Sequence, residues 1–184
     1  NLFKESTPTR VIVFSSSKLK VKTLARELKS KNFKIAEMHS DLDQAKRDNV
    51  MLDFKAGKVQ VIVATDILAR GIDIDDIEMV VNYDVPREAE DYVHRIGRTA
   101  RANRDGRAVT FVSPEEIGKL RRIEKLLEKE VPKEEVPAEF GEAPDPKSPG
   151  RREGRPRGNG RRRFGDKRRR GRQSGARQNG KNSQ

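Results

Sequence analysis

The sequence contains no cysteine and no tryptophan. Without Cys, disulfides and Cys-based metal sites are excluded. Two histidines without Cys are too few for the usual zinc ligand sets. No apolar run approaches the roughly 20 residues that cross a bilayer, and no secretory signal is visible. The first residue is Asn rather than Met, so the chain is expected to begin inside a longer protein. The pattern G-x-x-x-x-G-K-[ST] occurs nowhere. The Gly-Lys pairs at Gly57, Gly118 and Gly180 lack the second glycine at the right distance and the following Ser or Thr. A phosphate-cradling loop is thus missing, and nucleotide chemistry would need groups from elsewhere.

What the sequence holds in excess is positive charge, unevenly placed. Lys and Arg number 41 against 29 Asp and Glu, a net +12. Residues 1–144 carry 26 of each sign, whereas residues 145–184 carry 15 basic and 3 acidic side chains. A neutral part of about 130 residues is enough for one domain with its own core. We read it as residues 1–131, followed by a Pro-rich linker over 132–149 and a basic tail over 150–184. Pro132, Pro137, Pro144, Pro146 and Pro149 interrupt any helix in the linker. The tail has Phe164 as its one aromatic and no Val, Ile or Leu. It cannot bury enough apolar surface to offset ordering entropy, so it is predicted to be disordered.

Within 1–131, apolar runs alternate with amphipathic stretches. Strands are predicted over 11–14, 34–39, 59–65, 79–83 and 108–113. Helices are predicted over 18–31 behind Ser17 as N-cap, over 44–56 closed by Gly57, over 88–96 and over 114–130. Inward faces are predicted at Val21, Leu24, Ala25 and Leu28; at Val50, Met51 and Phe54; and at Ile117, Leu120, Ile123 and Leu127. The pattern predicts an α/β fold: a three-layer domain, its sheet mostly parallel, with helices on both faces. Such sheets bind ligands outside the carboxyl ends of their strands, here just after Phe14, His39, Thr65, Tyr83 and Ser113.

Three segments have the residue types for chemistry there. In the first, ATDILARGIDI over 64–74, Thr65 or Asp66 can cap a short helical turn whose amides suit a phosphate. Gly71 permits a left-handed stop and close backbone approach. Asp73, between two isoleucines, is free to accept hydrogen bonds from hydroxyls. Spacing alone favours, by a modest margin, a capped turn with a solvated acid. In the second, YVHRIGRTAR over 92–101, Arg98 and Arg101 share a face with His94. Three Arg within seven residues repel unless an anion or carboxylates receive them, and a guanidinium pair fits phosphate oxygens. An ion-pair cluster with Glu88, Glu90 and Asp91 explains the same residues. In the third, Gln44 and Arg47 open a helix and suit a neighbouring loop or a phosphate, or are a plain exposed first turn. Ser15, Ser16, Ser17 and Lys18 line the sheet edge, although capping alone explains Ser17. His39, at a strand end, reads as a structural hydrogen-bonder before a ligand.

These segments, in this order, resemble the second RecA-like domain of DEAD-box RNA helicases. The resemblance covers about residues 11–130. Residues 11–18 look like motif IV, 44–47 like the QxxR motif, 64–74 like motif V and 94–101, HRIGRTAR, like motif VI. A lone QxxR is weak, but ATDxxARGIDI followed 20 residues later by HRIGRTxR is specific. The tract NYDVPREAEDYVH over 82–94, with GRTARA over 97–102, is similar to the bacterial RhlE-type subgroup. Ala100 and Ala102 stand where the wider family often has glycine, which bears on subgroup rather than activity.

The resemblance implies a RecA-like fold and roles at the matching positions. Arg98 and Arg101 would be the arginine-finger pair toward the ATP γ-phosphate, and Asp73 would contact the ribose. Ser17, Arg47, Thr65 and Gly71 would contact RNA phosphates. His94 and Gln44 would join the contacts between domains, and Phe14 would support the motif VI arginines by packing. ATP would come with Mg²⁺, whose ligands are expected from an N-terminal RecA-like domain outside this chain. That domain and RNA, single-stranded and duplex, would be the partners, with ribosome-assembly or RNA-decay factors behind the subgroup likeness. A cytoplasmic location, without membrane contact, is implied. Opening a duplex locally, without translocation, would be the parent's activity, and the fragment alone is expected to be inactive as an ATPase. A non-enzymatic RNA chaperone or annealer working through the tail is the alternative. A DNA helicase domain stands third, because the His94 form of motif VI points to the RNA family.

Overall fold

The computed structural model of the chain describes residues 8–66, 77–99, 106–141, 143 and 145. By its own contacts the chain divides into a unit over 1–153 and a second over 154–184. The second lies outside the described residues, as does the predicted disorder of 150–184. The order of elements is β1 (Val11–Phe14), α1 (Lys18–Ser30), β2 (Ile35–Met38), α2 (Gln44–Lys55), β3 (Val61–Ala64), β4 (Met79–Asn82), α3 (Ala89–Ile96), β5 (Arg107–Thr110) and α4 (Ile117–Leu127). A 3₁₀ turn, Pro114–Glu116, leads into α4, and another occupies Ala138–Phe140.

All five strands pair in parallel, in the order β2-β3-β1-β4-β5. The middle strands are continuous apolar runs because both their faces are covered. VIVF of β1 and VIVA of β3 are buried throughout, whereas the edge strand β5, RAVT, has no buried residue. Alternation splits the core into two layers. Ile12, Phe14, Ile62, Ala64, Met38 and Val80 meet Phe54 of α2, with Val50 and Met51 beside it. Val11, Val13, Val61, Val63, Ile35, Met79 and Val81 meet Val21 and Ala25 of α1, with Leu24 and Leu28. Tyr92 of α3 and Ile123 of α4 close on Val85, with Leu127 at the margin.

The predicted inward faces therefore pack as read, and the predicted elements are all present with shorter ends. The paired ladders cover four residues per strand, so the predicted strand 34–39 narrows to Ile35–Met38 and 108–113 shifts to Arg107–Thr110. The predicted helix 114–130 begins as 3₁₀ and stops at Leu127, because Glu128 turns left-handed at φ 52°. Two signals were local and both operate. The Ser17 hydroxyl accepts the Lys20 amide at the start of α1. Gly57 takes φ 72° after α2, a left-handed conformation that glycine adopts without a Cβ penalty. The first residues after Val131 stay tied to the domain, Lys133 to Glu124 of α4 and Glu134 to Arg107 of β5, each at 3.0 Å.

Candidate functional site

Parallel strands send every carboxyl end to one rim. Because β2, β3 and β1 are neighbours, the segments that follow them lie side by side. Arg47 is in the first turn of α2, Thr65 directly follows β3, and Ser17 caps α1 after β1. The Thr65 amide donates to Met38 O at 3.1 Å, which holds it level with the end of β2. Arg47 is half-buried, and its Nε is a buried donor with no hydrogen-bond partner among the described residues. Gln44, exposed, donates along its own helix to Asp48 at 2.8 Å. Asp43 caps α2 through the Lys46 amide at 2.8 Å.

The same rim holds His39 in its structural role. It is buried, and its Nδ1 accepts the Asp41 amide at 3.2 Å, so Nε2 carries the proton of the neutral ring. That Nε2 has no hydrogen-bond partner and lies 3.8 Å from Glu37. Asp41 receives Lys22 at 2.8 Å and Lys18 at 2.9 Å, and these two donors, Lys22 foremost, pull its carboxyl down to about 2.

The second half of the site is built around Arg95, which the sequence reading left unassigned. Arg95 is 2% exposed. Its Nε and Nη2 grip the two oxygens of Asp66, the latter at 2.8 Å. Its Nη1 donates to Asp84 O at 2.9 Å and Asn82 Oδ1 at 3.2 Å, and the guanidinium lies 5.3 Å from the centre of the Phe14 ring. A buried charge persists only when it is paired and fully hydrogen-bonded, and Arg95 is both. Helical side chains lean toward the helix N-terminus, so Arg95 in the last turn of α3 reaches back toward the rim from which α3 departs.

Asp84 is a second hub. Its buried carboxylate accepts Ser15 Oγ at 2.9 Å, Ser16 N at 2.9 Å and Ser16 Oγ at 3.0 Å, with Lys20 Nζ at 3.3 Å. Ser15 and Ser16 thus face Asp84 rather than an open edge. Asn82 completes the set by donating to Thr110 Oγ1 of β5 at 3.0 Å.

Asp66 gives both its oxygens to Arg95, and the turn that follows it lies outside the described residues. Two sequence expectations need correction. The carboxylates that receive Arg95 are Asp66 and Asp84, not Glu88, Glu90 or Asp91. Arg98 is not on the rim with Thr65. Thr99 bridges to Ile77 and its hydroxyl donates to Ile77 O at 2.7 Å, which places the turn after α3 level with the start of β4. Arg98 is half-buried there, with its amide on Arg95 O at 3.2 Å and its Nε donating to His94 O at 3.3 Å. His94 is exposed on the same turn. Of the arginines in that segment, Arg95 is the one shown against the Phe14 ring. Gly71, Asp73 and Arg101 lie outside the described residues.

Arg95 was legible in principle. It follows the buried Tyr92 by three residues on the inner face of α3, and polar Asn82 and Asp84 flank the end of an apolar strand. Among the described residues no three His, Asp or Glu side chains converge as metal ligands would. No helix among the described residues is long and apolar enough to cross a membrane.

A family profile for the helicase conserved C-terminal domain matches residues 1–103. The ATP-dependent RNA helicase eIF4A of Meyerozyma guilliermondii is 41% identical over 142 residues, which are 77% of this chain and 35% of that protein. The chain thus spans about a third of the length of the curated relatives it matches. The structure of the E. coli DEAD-box protein SrmB bound to regulator of ribonuclease activity A is similar with a TM-score of 0.66 and 36% identity, over 74% of this chain and 86% of that one. S. cerevisiae Dbp5 bound to RNA and ADP BeF3 is similar with a TM-score of 0.64 and 34% identity, over 71% of this chain and 36% of that one.

Proposed function

Since the chain belongs to the helicase conserved C-terminal domain family, in the form that DEAD-box helicases carry, we propose that it is the ATP-completing half of an ATP-dependent RNA helicase. The observation that carries this reading is the adjacency of three backbone-contact candidates on one rim. Arg47, Thr65 and Ser17 follow the neighbouring strands β2, β3 and β1, spaced ~4.8 Å from strand to strand. A row of donors and helix N-termini along one rim suits the phosphates and 2′-hydroxyls of a strand, with little sequence selectivity. Gly71 would be a further RNA contact.

Arg98 and Arg101 would hold the γ-phosphate of ATP, and Asp73 the ribose. Bound ATP with Mg²⁺ would supply the phosphoanhydride to be cleaved, its metal ligands and attacking-water base coming from an N-terminal RecA-like domain. The guanidinium groups of this chain stabilise charge on the transferring phosphoryl oxygens and draw the two domains together. His94 and Gln44 would meet the N-terminal domain in that closed state. RNA lying across both domains favours the same closure, so the two ligands are coupled. The strand bends, and a duplex opens locally.

The tract over 82–94, with GRTARA over 97–102, supports a bacterial RhlE-type subgroup, and that subgroup points to RNA substrates in ribosome assembly or decay; a cytoplasmic location goes with this reading. The annealing alternative through the tail is not favoured, since the relatives matched are ATP-dependent RNA helicases. The deciding experiment is Arg98→Ala and Arg101→Ala in the parent protein. Loss of RNA-stimulated ATP turnover with the fold intact is expected, and wild-type turnover in both variants would sink the reading. RNA strands should stimulate where DNA strands do not.

A further inference from the structure

The rim continues past Ser17. β4 and β5 follow β1 in the sheet, and backbone bonds set the residue after each level with the strand ends. Tyr83 N donates to Phe14 O and Phe111 N to Asn82 O, each at 2.9 Å. Both residues are aromatic and both face solvent, Tyr83 at 41% and Phe111 at 46% exposure. Their ring centres lie 6.5 Å apart with the planes at 86°, an edge-to-face pair that holds the rings in place and leaves ring faces open. Tyr83 also forms one wall of a groove whose other wall is a stripe of α1, made of Leu19, Lys20, Thr23, Leu24 and Glu27. A single exposed apolar side chain needs no explanation, but Leu19, at 72% exposure, joins the two rings in a patch.

Charge decides what the patch takes. α1 carries Lys18, Lys20, Lys22, Arg26 and Lys29 against one acid, Glu27, so it draws a polyanion to this end of the rim. Inside the groove the balance differs. Lys20 Nζ is drawn to the buried Asp84 carboxylate at 3.3 Å, and Glu27 stands on the wall. A phosphate placed there would meet the Glu27 carboxylate. A flat, uncharged ring would meet an aromatic face and an apolar wall, with its phosphates left to the basic outside of α1. We propose that Tyr83, braced by Phe111, is a stacking platform for one unpaired base of the RNA strand whose backbone follows the rim. Contacts at Arg47, Thr65 and Ser17 position a strand by its backbone. Tyr83 holds a base, and of any kind, because every base has a π-face.

This inference rests on the reading of the rim as an RNA path, and its test is separable from that reading. The parent protein is titrated with two fluorescent strands of equal length, an oligoadenylate and an abasic ribose-phosphate strand. The basic tail attracts the phosphates of both alike, so the ratio of the two affinities isolates the bases. Tyr83→Ala is expected to weaken oligoadenylate binding about tenfold and to leave the abasic strand unchanged. Tyr83→Phe is expected to keep the wild-type ratio, and Tyr83→Leu, which keeps an apolar side chain without a ring face, to lose it. Melting temperatures identify the folded variants. Should Tyr83→Ala and Tyr83→Leu not fold, Phe111→Ala removes the brace and is expected to lower the same ratio. A 2-aminopurine placed along the oligoadenylate is expected to be quenched at one position by wild type and not by Tyr83→Leu. An unchanged ratio in the folded Tyr83 variants, or an equal loss for both strands, overturns the platform and leaves the helicase reading standing. The groove is then a surface for another protein. The helicase reading fails by a different result, wild-type ATP turnover after Arg98→Ala and Arg101→Ala.

Discussion

Two arginines three residues apart meet opposite fates in this protein. Arg95 is enclosed among carboxylates, and Arg98 is left half-buried at a helix end. Removing one partner of a buried ion pair leaves the other charge uncompensated, so Arg95→Ala is expected to cost ~3–5 kcal/mol of stability by urea unfolding. A loss below about 1 kcal/mol would show that Asp66 and Asp84 are content without it. Arg98→Ala is expected to leave the unfolding midpoint nearly unchanged and to cut RNA-stimulated ATP turnover of the parent by ~10³-fold or more. The motif HRIGRTAR marks both residues alike, and spacing drew attention to Arg98 and Arg101 because they share a face. It could not separate the buried one, since that depends on Asp66 and Asp84, which are 29 and 11 residues away in sequence.

At the scale of elements, termini were read from local chemistry and ladders from long-range pairing. Ser17 and Gly57 announce a start and a stop within a few residues, so both were legible. Ser17→Ala is expected to cost ~1 kcal/mol by chemical denaturation. The four-residue ladders, by contrast, are set by neighbours such as Val11 against Val61 and Met79, which no local window contains. The tie between α1 and the segment after β2 rests on Asp41 with Lys22 and Lys18. Its folded carboxyl lies near 2, below the ordinary 3.8, so the contribution is complete above about 4 and is lost as pH falls through about 2. Carbon NMR of the Asp41 carboxyl should show a midpoint near 2, and Lys22→Ala should raise it toward 3.8. A wild-type midpoint already at 3.8 would remove the tie. High salt should weaken it, because these side chains are well exposed.

For the whole molecule, charge and motif order carried most of the reading. Apolar runs such as VIVF and VIVA, interleaved with amphipathic helices, are enough to declare a parallel sheet. The position of Arg98 was read as the rim and is not there, because it depends on how far α3 carries the chain down the sheet. The chain alone, in a clean preparation, is expected to hydrolyse no ATP, since the phosphate loop must come from another domain. Measurable turnover would show that the nucleotide machinery is more complete than the motifs imply. Removing residues 145–184 takes away 15 basic and 3 acidic side chains. It is expected to weaken binding of single-stranded RNA at low salt and to flatten the dependence of log affinity on log salt. An unchanged slope would mean that the tail neutralises no phosphates.

The opposite edge of the sheet tells a quieter story. There Arg10 O takes the amides of Glu78 and Met79, Lys34 O those of Gln60 and Val61, and Glu78 O that of Arg107. Backbone bonds stitch this border together with side chains such as Gln60, whose Nε2 donates to Pro8 O, and the turn that carries Arg98 lies by the start of β4, two strands from the start of β3. Lys58, exposed at the approach to β3, is therefore a sound anchor for a dye or a surface tether: an observer placed there could watch the protein close on its ligands without taking part in the closing.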